Sequence, residues 1–205
     1  MGNLFSNKNQ SESQSNIEIP TGLNIISSKI PDDLLGLHDY VRSTAGLGPL
    51  KENSRLKKLA GDWARHLVNE ENCTIRHPLQ TEQEKERYLP GSIGQNIYVG
   101  HGYPEDPSSP KNVISAWYDE CLLYDSKAIK DGIPTNFKDV GHFTQVMWKD
   151  AKEIGCERVE CPKKFDTENG PVDAKGAVVV CNYDKGNVSG QFPTQVIYSK
   201  CPINL

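Results

Sequence analysis

The sequence lacks long apolar segments, an excess of basic residues and any C-x-x-C pair. No apolar run approaches the ~20 residues of a membrane-spanning helix, so we expect no transmembrane segment. The formal net charge of −4 provides no broad cationic surface, so we expect no nucleic-acid partner. The absence of C-x-x-C spacing argues against a zinc ribbon and against a thioredoxin-like redox site.

Three common enzyme motifs are missing as well. The chain contains no G-x-S-x-G nucleophile elbow, no P-loop and no dinucleotide-binding fingerprint. Hydrophobic residues make up 36% and charged residues 24% of the 205 residues, which is ordinary for a soluble globular protein. This length is enough for one domain with a core and a short tail.

The cysteines that are present indicate an oxidising compartment. An even number of them without metal-binding spacing is typical of disulfides formed outside the cytosol. The alternative of six unpaired thiols in a reducing cytosol stays open because of the N-terminal residues. The six are Cys73, Cys121, Cys156, Cys161, Cys181 and Cys201.

The N-terminus does not resemble a secretory signal. It lacks the apolar run of about 7–15 residues that such a signal needs. It does match M-G-x-x-x-[ST], with Gly2 as the acceptor for N-myristoylation and Ser6 at the required position. One acyl chain gives only marginal membrane binding. We favour an extracellular location; the alternatives are the cytoplasmic face of membranes through N-myristoylation, a plain tail, and a signal peptide that has been lost.

The chain divides into a tail and one folded domain. Residues 1–29 are rich in Ser, Asn and Gln and predict a disordered N-terminal tail, and residues 30–205 predict the domain. Hydrophobic spacing predicts helices that start near Pro31-Asp32-Asp33 and Asn53-Ser54, and another over Pro110–Tyr124 with Leu122 facing inward. A short helical piece over His142–Trp148, strands at Ile97–Val99, Ile154–Cys161 and Lys175–Tyr183, and a polar loop over 162–174 complete the prediction.

Five motifs stand in a characteristic order along the chain: Leu35–Arg42, Gly94–Ile97, Trp117–Glu120, Gly141–Trp148 with the following Ile154–Cys156, and Val180–Asn187. Together they resemble the CAP superfamily, which includes cysteine-rich secretory proteins, antigen 5 and plant pathogenesis-related proteins. The resemblance implies an α+β fold, a three-layer α–β–α sandwich with a central antiparallel sheet, stabilised by disulfides.

The same resemblance implies a disulfide pattern. By position, Cys73 pairs with Cys161, and Cys156 pairs with Cys181. Cys121 and Cys201 are then left as a third pair, which departs from the plant pattern with its short local third bridge. Each bridge is expected to stabilise the fold by roughly 2–4 kcal/mol.

The family's central cleft has two histidines and two acidic residues, and the matching positions are His77, Gln95, Glu120 and His142. Two imidazoles and a carboxylate suit Zn²⁺ or a general acid–base pair. Gln95 departs from the family, although antigen 5 proteins show a similar Gln, and an amide carries no charge and cannot act as a base. We expect no required cofactor and only weak divalent metal binding.

The resemblance favours a secreted, non-catalytic protein that binds a sterol or another lipid, or a protein receptor or channel. The predicted lipid-binding loop spans 93–110 and includes Ile97, Tyr98, Val99 and Tyr103. A metal-assisted protease is an alternative, and so is an N-myristoylated membrane-associated protein similar to the Golgi-associated branch. Among the other polar residues, His38 and Arg42 are expected to serve helix packing, and His66 and His101 to be ordinary surface residues.

Overall fold

The computed structural model describes residues 32–79, 81–196 and 201, so the predicted tail and Gly2 lie outside the described residues. The helices are α1 Leu34–Ser43, α2 Ser54–Glu70, α3 Glu82–Tyr88, α4 Pro110–Tyr118, α5 Phe137–Val146 and α6 Phe192–Gln195. The strands are β1 Lys51–Glu52, β2 Gly94–Gly102, β3 Ile129–Lys130, β4 Ile133–Pro134, β5 Glu153–Glu160, β6 Lys163–Thr167 and β7 Gly170–Tyr183.

The central sheet has β7 in its middle. The strand order is β1-β5-β7-β2, and β7 pairs antiparallel with both β5 and β2. The N-terminal half of β7 folds back on β6 as a hairpin, and the two residues of β1 add to β5 in parallel. The predicted central antiparallel sheet is therefore confirmed.

Side chains on β7 alternate between two hydrophobic cores, as the period of a strand requires. Val179, Cys181 and Tyr183 pack under α1, α4 and α5. Val178 and Val180 pack under α2 and α3. Helices therefore cover both faces of the sheet, which confirms the three-layer α–β–α sandwich.

Side-chain caps explain where the predicted helices begin. The carboxylate of Asp33 accepts the backbone N–H of Gly36 at 2.8 Å at the start of α1. The amide oxygen of Asn53 accepts the N–H groups of Arg55 and Leu56 at the start of α2. Each cap satisfies donors that the first helical turn leaves unpaired, so both predicted starts are confirmed.

All three predicted disulfides are present. Cys156 and Cys181 are directly opposite each other on β5 and β7. Cys73, just after α2, is bonded to Cys161, just after β5, so this bridge joins a helical layer to the sheet. The third bridge joins Cys121 to Cys201 and holds the end of the described chain to the segment after α4.

Two glycines permit close backbone contacts. A side chain at Gly155 on β5 would collide with the backbone of Leu56 and Lys57 in α2. A side chain at Gly176 on β7 would collide with the backbone of Gly100 and His101 on β2. The helix-to-sheet and strand-to-strand distances at these points require residues without a Cβ.

Several predicted boundaries are wrong. The third predicted helix ends at Tyr118 and continues as a 3-10 turn over Asp119–Leu123, whose tighter winding leaves Leu122 exposed rather than inward. The predicted polar loop 162–174 contains the β6–β7 hairpin. The short helical piece begins earlier than predicted, at Phe137, and helix α3 had no prediction at all.

Candidate functional site

The first half of the predicted cleft is a histidine fixed by a carboxylate. Glu120 lies in the 3-10 turn after α4, and His142 lies in α5. One carboxylate oxygen of Glu120 lies 2.6 Å from Nδ1 of His142. The other accepts the backbone N–H groups of His142 and Phe143 at 2.9 and 3.0 Å. Both carboxylate oxygens therefore orient α5 and the His142 ring, and Nε2 is left facing away from Glu120.

The second half is a histidine held by an amide. Nδ1 of His77 lies 2.9 Å from the side-chain oxygen of Gln95 on β2. The Gln95 amide in turn donates to the side-chain oxygen of Asn182 on β7 at 2.9 Å. Because an amide oxygen only accepts, Nδ1 of His77 carries the proton and Nε2 carries the lone pair when the ring is neutral.

The electrostatic environment of His77 disfavours its charged form. Its ring is accessible from the cleft, yet the surrounding protein atoms displace enough water to lower the pKa of the imidazole below its usual range. The hydrogen bond that Nδ1 donates to Gln95 partly offsets this effect, and the positive charge of a protonated His142 lowers the pKa of His77 further. That the two rings share one cleft stays a prediction.

A buried polar network supports the floor of the cleft. The Asn96 amide donates to the backbone carbonyl of His142 at 3.1 Å. The hydroxyl of Tyr183 lies 2.8 Å from Nε2 of His38, whose Nδ1 lies 2.7 Å from the carbonyl of Leu34. The ring of His142 also lies nearly parallel to that of Trp117, at an interplanar angle of 15°. The prediction that His38 serves helix packing is confirmed.

The cleft offers a limited donor set for a metal ion. The ligand atoms of His77, Glu120 and His142 do not all lie within 4.8 Å of one another, although Glu120 and His142 are in contact. Glu120 occupies the outer position of a carboxylate–histidine pair, which orients a metal-binding ring without contacting the metal. A divalent ion would be held by the Nε2 atoms of His77 and His142 and by water, with Glu120 orienting the His142 ring; metal binding by the predicted set stays a prediction.

A cavity of about 410 Å³ opens beside His77 and Gln95. Its apolar wall consists of Leu89, Ile93, Phe137 and Val188. Phe137 and Val188 expose 37% and 39% of their surface, which is a large fraction for apolar residues next to a polar pair. Sequence reasoning missed this wall because its residues come from three separate segments: the connection between α3 and β2, the start of α5, and the chain after β7.

Three of the four residues assigned to the predicted lipid-binding loop lie in a strand instead. Ile97, Tyr98 and Val99 lie in β2, in agreement with the separate prediction of a strand at these residues. Ile97 is only 2% exposed and packs in the core under α2, and the Tyr98 hydroxyl donates to the carbonyl of Pro107 at 2.9 Å. Tyr103 is 56% exposed and is the only one of the four that presents most of its surface to solvent.

The sandwich and the three bridges together indicate a CAP-type domain. The CAP family model, described as "Cysteine-rich secretory protein family", matches residues 35–183. The chain therefore belongs to the CAP family.

Similar proteins agree with this membership. Pathogenesis-related protein 1B of Nicotiana tabacum is 30% identical over 164 residues, which cover 78% of this chain and 79% of that protein. Pathogenesis-related protein PR-1 of Medicago truncatula is 29% identical over 178 residues, with 85% of each chain covered. The crystal structure of NaASP2 with Zn²⁺ has a TM-score of 0.52 at 20% identity and covers 82% of this chain and 83% of that one, which supports the fold.

No helix in residues 32–79 and 81–196 is both long enough and apolar enough to cross a membrane. This finding agrees with the prediction of no transmembrane segment.

Proposed function

We propose that this CAP protein is a non-catalytic, extracellular binding protein that takes up a sterol or a similar lipid. The observation that carries the proposal is the cavity of about 410 Å³ beside His77 and Gln95. Its volume falls within the range of roughly 300–1,000 Å³ that small-molecule sites occupy. Its walls combine apolar side chains with two hydrogen-bonding groups at one end.

This division of the lining matches the chemistry of a sterol. A sterol has a rigid apolar body and one hydroxyl group. The body would contact Phe137, Ile93 and Val188, and the hydroxyl would reach the His77–Gln95 pair. Burial of the apolar surface would supply most of the binding free energy, and the polar pair would fix the orientation.

The test is binding of labelled cholesterol to delipidated protein with its disulfides intact, and unlabelled sterol as competitor. Val188→Asp places a charge in the cavity wall at an exposed position, so it should reduce affinity at least tenfold without unfolding the domain. Leu122→Asp is the matched control, because Leu122 is 77% exposed and lies outside this cavity. Tyr103→Asp tests the loop that the sequence predicted.

Saturable binding that only Val188→Asp weakens would support the cavity as the site. Saturable binding that only Tyr103→Asp weakens would move the site to the loop and refute the cavity. If no sterol binds, a protein receptor or channel becomes the candidate partner, and the exposed loops become the surface to test.

A hydrolase is the weaker alternative, and the geometry of the cleft argues against it. All six cysteines are in disulfides, and no serine or threonine hydroxyl in the described ranges hydrogen-bonds to His77 or His142. Glu120 is engaged by three donors, and Gln95 cannot accept a proton. A metal-activated water would be the remaining route. Hydrolysis that survives His142→Ala would identify a contaminant.

The proposed extracellular location rests on the three bridges, which reducing compartments do not favour. N-myristoylation at Gly2 is the competing proposal. Intact mass of protein from eukaryotic cells separates the two, since an oxidised chain lacks two hydrogens for each bridge and an acylated chain gains the mass of myristoyl. Release from membranes by Gly2→Ala would favour the acylated form.

A further inference from the structure

Three side chains that can bind a metal ion lie close together near the end of β2, whereas Gln95 lies at its start. His101 is opposite Gly176 in the pairing of β2 with β7. Cys161 donates its backbone N–H to the carbonyl of the same Gly176 at 3.1 Å. The bridge then brings Cys73 to Cys161. A side chain at Gly176 would collide with the backbone of Gly100 and His101, so its absence lets β2 approach β7 closely at this point.

The potential ligand atoms of these three residues lie close enough together to share one metal ion. The two Sγ atoms and a ring nitrogen of His101 all lie within 4.8 Å of one another. Zn²⁺ holds sulfur at about 2.3 Å and nitrogen at about 2.0–2.1 Å, so tetrahedral ligand atoms lie roughly 3.5–4 Å apart. No other group of this kind in the described ranges reaches that spacing.

The histidine also has an unused nitrogen. Nε2 of His101 is buried and has no hydrogen-bond partner in the described part of the chain. A buried nitrogen without a partner costs free energy that a structure normally avoids. The expectation that His101 is an ordinary surface residue is therefore wrong, and its buried Nε2 is available to bind a ligand.

We propose that Cys73, Cys161 and His101 form a zinc site that opens when the Cys73–Cys161 disulfide is reduced. Two thiolates and Nε2 of His101 then bind one Zn²⁺, and water takes the fourth position. In the oxidised protein the sulfurs are bonded to each other, so neither is available as a thiolate.

The step balances with a dithiol as the reductant. Two electrons from the dithiol break the Sγ–Sγ bond of Cys73 and Cys161, and the dithiol becomes a disulfide. Its two protons appear on the cysteine thiols, and Zn²⁺ binding releases them to solvent. The sulfurs must then separate from bonding distance to the spacing of zinc ligands, which a change in side-chain torsion angles can provide.

Solvent can reach the site from one side. An open groove of about 580 Å³ is lined by Cys161, Pro162, Lys163 and Gly176. Cys161 itself is only 1% exposed, and Cys73 is 7% exposed. The groove provides a path for water and for a small dithiol, while the protein surrounds the sulfurs on the other sides.

The first experiment uses Co²⁺ as the probe, because only thiolate ligands give an intense sulfur-to-cobalt charge-transfer band. Protein that has been reduced with a dithiol and then freed of the excess dithiol under anaerobic conditions should bind one equivalent of Co²⁺ with this band, and Zn²⁺ should displace it. The oxidised protein should show no such band. Binding at His77 and His142 does not interfere, since no thiolate is involved there.

Variants identify the ligands. Cys73→Ser/Cys161→Ser should abolish the band, and Cys156→Ser/Cys181→Ser should retain it. His101→Ala should lower the affinity of the reduced protein by at least about tenfold, since even outer-shell partners of a metal ligand contribute 10–100-fold. A band that is absent from the reduced wild type, or equal in affinity in His101→Ala, overturns the proposal.

Melting temperature gives a second measurement that separates a folded site from sulfurs on an unfolded chain. Zn²⁺ should raise the melting temperature of the reduced wild type by more than that of reduced His101→Ala, in which only binding at the cleft histidines remains. Oxidised His101→Ala keeps its bridge, so its circular dichroism checks that the substitution itself preserves the fold. An equal shift in both reduced proteins would refute the site.

Discussion

Glu120 holds His142 at two points, with one carboxylate oxygen 2.6 Å from Nδ1 of the ring and the other 2.9 Å from the backbone nitrogen. The 3-10 turn after α4 is thereby fixed to α5. The orientation of the cleft histidine depends on this contact between two helical segments rather than on α5 alone.

Removal of this carboxylate should therefore destabilise the domain. Glu120→Ala leaves two backbone N–H groups and the His142 ring without their acceptor, and hydrogen bonds to a charged group contribute about 1.5–3 kcal/mol each. We expect a loss of about 2–4 kcal/mol in urea unfolding, and a smaller loss for Glu120→Gln, which keeps one oxygen. A variant as stable as the wild type would show that water replaces the carboxylate.

Zinc binding at the cleft should distinguish ligands from orienting residues. In calorimetry, His77→Ala and His142→Ala should each abolish the heat of Zn²⁺ binding, because only two protein ligands are available. Glu120→Gln should weaken binding by about 10–100-fold, as expected for an outer-shell partner. Binding should fall with decreasing pH as His77 protonates, because a protonated ring cannot bind a metal ion. Heat that does not depend on His142 would refute the two-histidine site.

Protonation of His38 should make the stability of the domain depend on pH. Complete burial lowers the pKa of His38 to about 4, and the charge of Arg42 lowers it as well. The unfolded chain, with a pKa of about 6.5, binds a proton that the folded protein rejects, so stability falls as pH decreases from 6.5 to 4.

The expected loss from this histidine is about 3 kcal/mol by pH 4. Urea unfolding between pH 7.5 and pH 4 measures it, and His38→Gln removes this part of the pH dependence while carboxylates elsewhere titrate as before. Parallel curves for the two proteins would show that His38 is not the source.

The buried guanidinium of Arg42 should be among the most important single groups for stability. It is fully buried and donates to the carbonyls of Val146, Trp148 and Ala151 at 2.9–3.0 Å, which holds the end of α5 to α1. Arg42→Met should cost about 3 kcal/mol or more, because several buried carbonyls lose their donor. Arg65→Met, at a position that is 51% exposed, should cost less than about 1 kcal/mol.

The Cys121–Cys201 bridge should anchor the C-terminal segment. The bridge spans a sequence separation of 80, and Cys121→Ser/Cys201→Ser should lower the free energy of unfolding by about 2–4 kcal/mol. Peptide mapping of the wild-type protein checks the pairing directly. A peptide in which Cys121 is bonded to any other cysteine would contradict it.

Local chemistry explains what could be predicted from the sequence. Asp33 and Asn53 precede apolar periodic segments, so the helix starts follow from capping alone. Helix α3 has no apolar periodicity in its seven residues, and it is held in part by the tilted ring contact between Tyr88 and Trp63, which no local sequence pattern predicts. The role of Glu120 was similarly hidden, because it depends on the spatial approach of two segments 22 residues apart.

The family motifs identified the cleft histidines, but no motif predicted that His101 lies beside Cys73 and Cys161. His66 also differs from the surface residue that was expected, since its ring stacks on Trp63 and lies 2.9 Å from a carboxylate oxygen of Glu71. These two partners of His66 lie within five residues of it, whereas the sulfurs beside His101 belong to Cys73 and Cys161, far from it in sequence. Single-residue reasoning has no access to such contacts, and the sequence around each histidine is unremarkable.

The order of synthesis also matters for the disulfides, because β7 lies between β5 and β2 in the sheet but comes late in the sequence. The first two cysteines to leave the ribosome are Cys73 and Cys121, and they are not partners in the folded domain. The strand that completes the sheet is synthesised after both. Native pairing therefore requires that oxidation wait for nearly the whole domain, or that early bridges be reshuffled in a compartment with disulfide exchange.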